Sequence, residues 1–190
     1  MRTAIIILLL VGLAGCGSSP KTSFFALSVA AGADNSRSSI AFPVQLAAVH
    51  IPPSLDRNEM VRKLKGQAVS ISDTDRWSAP LGEMIRNVLT QDLKARLTEG
   101  KVILPNAPAP SGTASLVVTI ADFSADADGR VTLGGSWSLL NANTNTPTLH
   151  RDFDLHTDAG SGADAIAGGM SRLVGELAND MASTLTTVHS

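Results

Sequence analysis

The chain has 190 residues and carries 15 Lys and Arg against 17 Asp and Glu, a formal net charge of −2 at pH 7. This balance offers no basic surplus for the phosphate backbone of a nucleic acid, so we expect no nucleic-acid partner. Cys16 is the single cysteine, which excludes an internal disulfide and a metal site built from several cysteines.

The first residues have the order of a secretory signal. Arg2 precedes an apolar run over residues 4–11, too short for the roughly 20 residues that cross a bilayer. Residues 13–16 read Leu-Ala-Gly-Cys, which resembles the lipobox of bacterial lipoproteins. The resemblance implies cleavage between Gly15 and Cys16, with a diacylglycerol and an N-acyl chain attached to Cys16. The alternative is an ordinary signal peptide in which Cys16 is incidental.

Several acyl chains on one residue give stable membrane anchoring. We therefore predict a lipoprotein signal peptide at residues 1–15 and a lipidated N-terminus with a short tether at residues 16–23. The tether is expected because these residues are small or polar. One domain should follow, over residues 24–190.

The first half of this domain predicts short strands. Residues 24–29 and 44–51 are strand-like, with a polar loop at 30–39 between them and Pro52 and Pro53 after the second. A hairpin is expected from residues 60–64 and 67–72 around Gly66.

Two segments have the apolar spacing of amphipathic helices, residues 79–97 and 163–187. Between them, an Asp-Gly pair at Asp128 and Gly129 predicts a hairpin turn. Strands are expected at residues 102–104, 114–125, 130–140 and 148–156, the last three as an antiparallel meander. The order predicts an α+β fold, a mainly antiparallel sheet with two amphipathic helices packed on one face.

The residues that could take part in catalysis or metal binding do not form a recognisable motif. The chain has no Gly-x-Ser-x-Gly elbow, phosphate loop or dinucleotide fingerprint. His150 and His156 share a strand face but lie about 20 Å apart, too far for one metal ion. We interpret the remaining carboxylates as solvated turn and strand residues, and predict no enzyme activity, cofactor or metal. They are Asp122, Asp126, Asp128, Asp152 and Asp154.

Two further segments are distinctive, residues 51–57 (Ile-Pro-Pro-Ser-Leu-Asp-Arg) and residues 75–81 (Asp-Arg-Trp-Ser-Ala-Pro-Leu). Physically, Leu55 can plug a turn against the core, and Arg57 can meet a carboxylate. Trp77 can fix the following helix to the sheet while Arg76 faces outward. A purely architectural role and a partner-binding role both remain open. The partner-binding candidates are Leu55, Asp56, Arg57, Arg76 and Trp77.

With the lipobox, the strand containing Trp137 and the closing helix, these segments resemble the ABC-type transport auxiliary lipoproteins, the PqiC-like family. The resemblance departs at Phe24 and Phe25, where a tyrosine is common. It implies a non-catalytic, periplasm-facing subunit of an intermembrane lipid transport system. An MCE-domain protein that bridges the periplasm would be its partner, the lipid anchor would hold it on a membrane, and self-association into a homo-oligomer stays open.

Two other functions stay open, an outer-membrane assembly accessory lipoprotein and a lipid-anchored hydrolase. Gly17 follows the lipidated cysteine where an aspartate commonly marks inner-membrane retention in enteric bacteria. By this analogy, the inner leaflet of the outer membrane is the expected location.

Overall fold

A computed structural model describes residues 20–30 and 37–188 of the chain. Within them, eight strands and two helices form an α+β domain. The strands before the first helix are β1 (Ser23–Phe25), β2 (Val44–His50), β3 (Glu59–Lys63) and β4 (Val69–Trp77). Helix α1 (Leu81–Arg96) is followed by β5 (Val102–Ile103), β6 (Ala114–Ala125), β7 (Arg130–Leu140) and β8 (Pro147–Asp158), and α2 (Ala163–Thr187) ends the domain.

All eight strands belong to one sheet. Its order runs β1-β4-β3-β6-β2-β5. Strands β3 and β2 pair with the same edge of β6, β7 pairs with the other edge of β6, and β8 pairs with β7. The β6-β7-β8 meander and the β3-β4 hairpin are antiparallel, which confirms both predictions. Gly129 takes φ +84° in the turn that joins β6 to β7.

The expectation of a mainly antiparallel sheet is wrong, because the sheet is mixed. Strand β2 runs parallel to both β5 and β6, β1 runs parallel to β4, and β3 meets β6 in parallel at one residue pair. The cause lies in the chain order. Strands β3 and β4 and helix α1 separate β2 from β6, and a long connection of this kind can return the chain to pair in parallel.

Both helices pack against the sheet, as predicted, and they also pack against each other. Alternate residues of β6 and β7 point into the core, among them the fully buried Phe123 and Trp137. They meet Leu89 and Leu93 of α1 and Leu177 of α2 in one continuous hydrophobic cluster. Among the described residues, no helix has the length and apolar character needed to span a bilayer.

Strand β1 is shorter than predicted, since only residues 23–25 pair with the sheet. The chain then leaves the sheet and crosses the helices. The amide of Ser28 donates to Ser171 Oγ of α2 at 3.1 Å, and the amide of Ala30 donates to Asp92 Oδ1 of α1 at 3.3 Å. Hydrogen bonds to the helices thus replace strand pairing.

Candidate functional site

The two distinctive segments meet at the base of the β3-β4 hairpin. Residues 52–58, here called the Pro52 loop, form a tight turn in which the amide of Leu55 donates to the carbonyl of Pro52 at 2.9 Å. The amide of Trp77 in β4 donates to the carbonyl of Asn58 at 2.6 Å. Pairing of β3 with β4 therefore brings together residues that are about twenty positions apart in the chain.

Glu59 joins the two candidate arginines. Its Oε2 accepts a hydrogen bond from Arg57 Nε at 3.0 Å, and its Oε1 lies 3.9 Å from Arg76 Nη1. We call Arg57, Glu59 and Arg76 the arginine–glutamate cluster. The hydrogen bond from Arg57 holds the pKa of the Glu59 carboxyl below its ordinary value. The cluster therefore carries one net positive charge at neutral pH.

Glu59 was not a candidate in the sequence, yet it links the cluster. The signal that could have found it is the Arg57-x-Glu59 spacing, since an acidic residue two positions from an arginine can reach its guanidinium group. Its second contact could not be read locally. Arg76 faces Glu59 only through the register of β3 with β4.

Of the five partner-binding candidates, one is buried and a second is partly buried. Trp77 is 4% exposed and belongs to the hydrophobic core, so its side chain supports the site from within and offers no docking contact. Leu55 is partly buried and packs against the same core, so its side chain closes the turn from below, as the sequence predicts. The side chains of Arg57 and Arg76 are 37% and 40% exposed. The surface that a partner could touch is therefore polar.

A small cavity lies beneath this surface, lined by Leu55, Met60 and Trp77 from one side and by Phe123 and Met170 from the other. Its volume is about 10 Å³. Even one water molecule needs about this much space. The cavity therefore cannot hold a lipid chain, and recognition at this site takes place on its outer face.

A shallow groove continues the surface beside the Pro52 loop. It has a volume of about 570 Å³, and Asp56 lines it together with His50, Glu83 and Arg86. Asp56 is exposed. The groove therefore places charged side chains beside the Pro52 loop, at the start of α1.

The histidines considered for chemistry lie in cross-strand pairs on the outer face of β7 and β8. His150 Nδ1 is 2.9 Å from Ser138 Oγ and His156 Nδ1 is 3.0 Å from Thr132 Oγ1, while Asp152 and Asp154 flank their other ring nitrogens at 3.5 and 3.1 Å. Only the cross-strand register brings these hydroxyl partners to the histidines, so the sequence alone does not predict them. The side chains are exposed to solvent, where a serine–histidine contact stabilises strand pairing.

Two of the remaining carboxylates have structural partners. Asp122 Oδ2 pairs with Lys63 Nζ at 2.5 Å, and Asp126 Oδ1 accepts the amides of Asp128 and Arg130 in the β6-β7 turn. Among the described residues, no group of three or more histidine, cysteine or acidic side chains is placed to hold a metal ion. The lipobox, including Gly15 and Cys16, lies outside the described residues.

Comparison with known proteins identifies a family. The family model of the ABC-type transport auxiliary lipoprotein component matches residues 25–182. The intermembrane transport lipoprotein PqiC of Escherichia coli is 28% identical over 107 residues, which cover 56% of this chain and 54% of PqiC. The PqiC of Shigella flexneri matches equally. The matched region thus spans about half the length of these curated relatives.

Two crystal structures share the fold. One, of an uncharacterized protein, has a TM-score of 0.73 at 20% identity and covers 87% of this chain and 99% of its own. The other, of a Xanthomonas campestris protein, has a TM-score of 0.68 at 13% identity and covers 86% and 95%. At these identities the likeness concerns the arrangement of the backbone.

Proposed function

Because the chain belongs to the family of ABC-type transport auxiliary lipoprotein components, we propose that it is a non-catalytic subunit of an intermembrane lipid transport system. In this proposal Cys16 carries the acyl chains, and the domain faces the periplasm from the inner leaflet of the outer membrane. Its partner is an MCE-domain protein that bridges the periplasm. The name of the Escherichia coli relative, an intermembrane transport lipoprotein, supports this role.

The observation that carries the docking role is the arginine–glutamate cluster. Glu59 orients Arg57 and Arg76, while both guanidinium groups stay partly open to solvent. Arginines held in place by a carboxylate lose less conformational freedom on binding than free ones, and arginine is enriched among residues that dominate binding energy. The cluster and Asp56 therefore form the surface expected to meet the bridging protein.

A docking role also agrees with the packing of the domain. The cavity below Leu55 is of water size, and the core is filled by large side chains such as Trp137 and Phe123. ATP hydrolysis by another subunit would supply the energy of transport. This chain would then contribute by holding the bridging protein at a fixed place beside a membrane.

Binding of the purified MCE-domain protein to the full-length lipidated chain tests the surface. Arg57→Ala and Arg76→Ala should each weaken binding by about tenfold or more, since each removes an oriented charge from the contact. Arg151→Ala is the matched control, because Arg151 is an exposed arginine on β8, away from the cluster. Circular dichroism confirms that each variant is folded.

Equal binding by all three variants would exclude the cluster as the docking surface. Loss of binding in Arg151→Ala alone would move the contact to the outer face of the meander. Lack of any binding by the wild-type chain would remove the MCE-domain protein as partner.

A further inference from the structure

The β3-β4 hairpin extends beyond the points where its two strands pair with their outer neighbours. Beyond Arg62, which pairs with Ala125 at the end of β6, β3 has no second neighbour among the described residues. On its far side, β4 pairs with β1 only at residues 75–77, so residues 69–71 present a free edge there. Three residues close the tip, where the amide of Leu64 donates to the carbonyl of Ala68 at 2.9 Å and Gly66 takes φ +78°.

This tip has the composition of a surface that meets lipid. Its large apolar side chains Leu64, Val69 and Ile71 are 43%, 57% and 43% exposed. Residues 61–72 also contain three basic residues and no acidic one, in a chain whose net charge is −2. Apolar side chains that enter the headgroup region, together with lysines that face anionic lipids, are the usual elements of peripheral membrane binding.

The direction of β1 leads towards the same end of the domain. Strand β1 runs parallel to β4, with Ser23 opposite Asp75, so the chain before Ser23 leaves towards the hairpin tip. The exposed Lys21 lies on this exit. Seven peptide units separate Cys16 from Ser23, and at full extension they span at most about 25 Å. From Asp75, which lies opposite Ser23, eight residues lead back along β4 to Gln67 in the hairpin turn. The distance from Ser23 to the tip is therefore about equal to the greatest distance that the tether can span.

We propose that the tip of the β3-β4 hairpin, residues 63–71, rests on the phospholipid leaflet that holds the lipid anchor and binds its anionic headgroups. This proposal rests on lipidation of Cys16, as given under the proposed function. Lys65 pairs with no carboxylate among the described residues and supplies an unopposed charge, whereas Lys63 is shared with Asp122. The adjacent β6-β7 turn carries Asp126 and Asp128, so the contact is confined to the β3-β4 hairpin.

A fluorescent label tests the contact in the full-length lipidated protein. Since Cys16 is the single cysteine and its thiol would carry lipid, Gln67→Cys adds the sole free thiol, placed in the hairpin turn. After reconstitution into vesicles of phosphatidylethanolamine and phosphatidylglycerol, a polarity-sensitive dye there should shift to the blue. Its quenching by spin-labelled lipids should exceed that of the control by about threefold or more.

Ala142→Cys is the matched control, because Ala142 is exposed in the β7-β8 turn at the opposite end of the sheet. Adding Lys65→Ser and Val69→Thr to the labelled chain, or using vesicles of phosphatidylcholine alone, should reduce the quenching by about half or more, because charge and apolar contact act together.

Equal quenching at positions 67 and 142 would overturn the proposal. Shielding of position 67 without lipid quenching, together with crosslinks between copies of the chain, would assign the free edge of β4 to a second copy instead. The mass of the N-terminal peptide separates the two hypotheses. If Cys16 carries acyl chains and position 67 is not quenched, the hairpin contact alone fails. If Cys16 is unmodified, the anchor fails and the hairpin contact with it.

Discussion

Asp92 places a charge inside the domain. Its side chain in α1 is fully buried, and Oδ1 accepts a hydrogen bond from Arg96 Nη1 at 2.9 Å and from the amide of Ala30 at 3.3 Å. Burial raises the pKa of the Asp92 carboxyl above its ordinary value, although Arg96 opposes this. Asp92 thus ties the segment after β1 to α1, and through that segment it fixes where the tether enters the domain.

Asp92→Ala should lower the free energy of unfolding by about 3 kcal/mol at pH 7, because it removes the carboxylate that accepts hydrogen bonds from Arg96 and from the amide of Ala30. Asp92→Asn keeps an acceptor oxygen and should cost less than half of that. Urea unfolding followed by circular dichroism measures both. A stability of Asp92→Ala equal to wild type would show that the segment after β1 is held by other contacts.

The raised pKa of Asp92 also predicts a pH dependence. The folded state binds the Asp92 proton more tightly than the unfolded state, so this residue's contribution to stability falls as the pH rises from its ordinary pKa through the raised one. Asp92→Asn should lack that fall. The urea midpoints of the wild type and of Asp92→Asn, measured at pH values from the ordinary to the raised pKa, test this pH dependence. Identical profiles of midpoint against pH for the two proteins would contradict it.

The helices and the meander could be predicted because their signals are local. A 3.6-residue apolar period defines α1 and α2, and the Asp-Gly turn defines the β6-β7 hairpin. The parallel pairs could not be predicted, since the contact of β2 with β6 depends on residues about 70 positions apart. Strand β4 also runs further than expected, through Asp73 and Asp75. These residues do not alternate between apolar and polar as a regular strand would, because a bulge interrupts the pairing of β3 with β4 there. Within the bulge, Ser72 Oγ accepts a hydrogen bond from the amide of Asp75.

The paired glycines of α2 illustrate what only packing reveals. Both weaken a helix by about 1 kcal/mol relative to alanine. A Cβ at Gly168 would approach nothing closer than Arg172 Nη1 at 3.9 Å, whereas a Cβ at Gly169 would lie 2.6 Å from Ala159 Cβ and 3.1 Å from Val131 Cγ2. Gly169 therefore allows α2 to approach the sheet closely.

Gly168→Ala should raise the free energy of unfolding by up to about 1 kcal/mol through helix propensity. Gly169→Ala should lower it by about 1–3 kcal/mol, because the added methyl overpacks the contact of α2 with the sheet. Thermal unfolding of the two variants compares neighbouring positions in the same helix. If both substitutions were stabilising, α2 would lie further from the sheet than described.

At the scale of the whole molecule, the two proposed contacts lie at opposite ends of the β3-β4 hairpin. The arginine–glutamate cluster is at its base, and the apolar tip is five residues further along β3, about 17 Å away. The tether leaves β1 on the side of the tip. A domain standing on its anchor would thus turn the tip to the leaflet and the cluster to the periplasm, where a bridging protein would meet it.

We propose that the lipid-held domain supports transport through its position at a membrane. This proposal is tested most directly by complementation in a strain that lacks the gene, with sensitivity to detergent as the measure of envelope integrity. The test form replaces residues 1–16 with a cleavable secretory signal, so that the folded domain is exported without Cys16. We predict that the wild-type chain restores resistance and that the unanchored domain, present in the periplasm at equal level, does not. Full restoration by the unanchored domain would contradict the account.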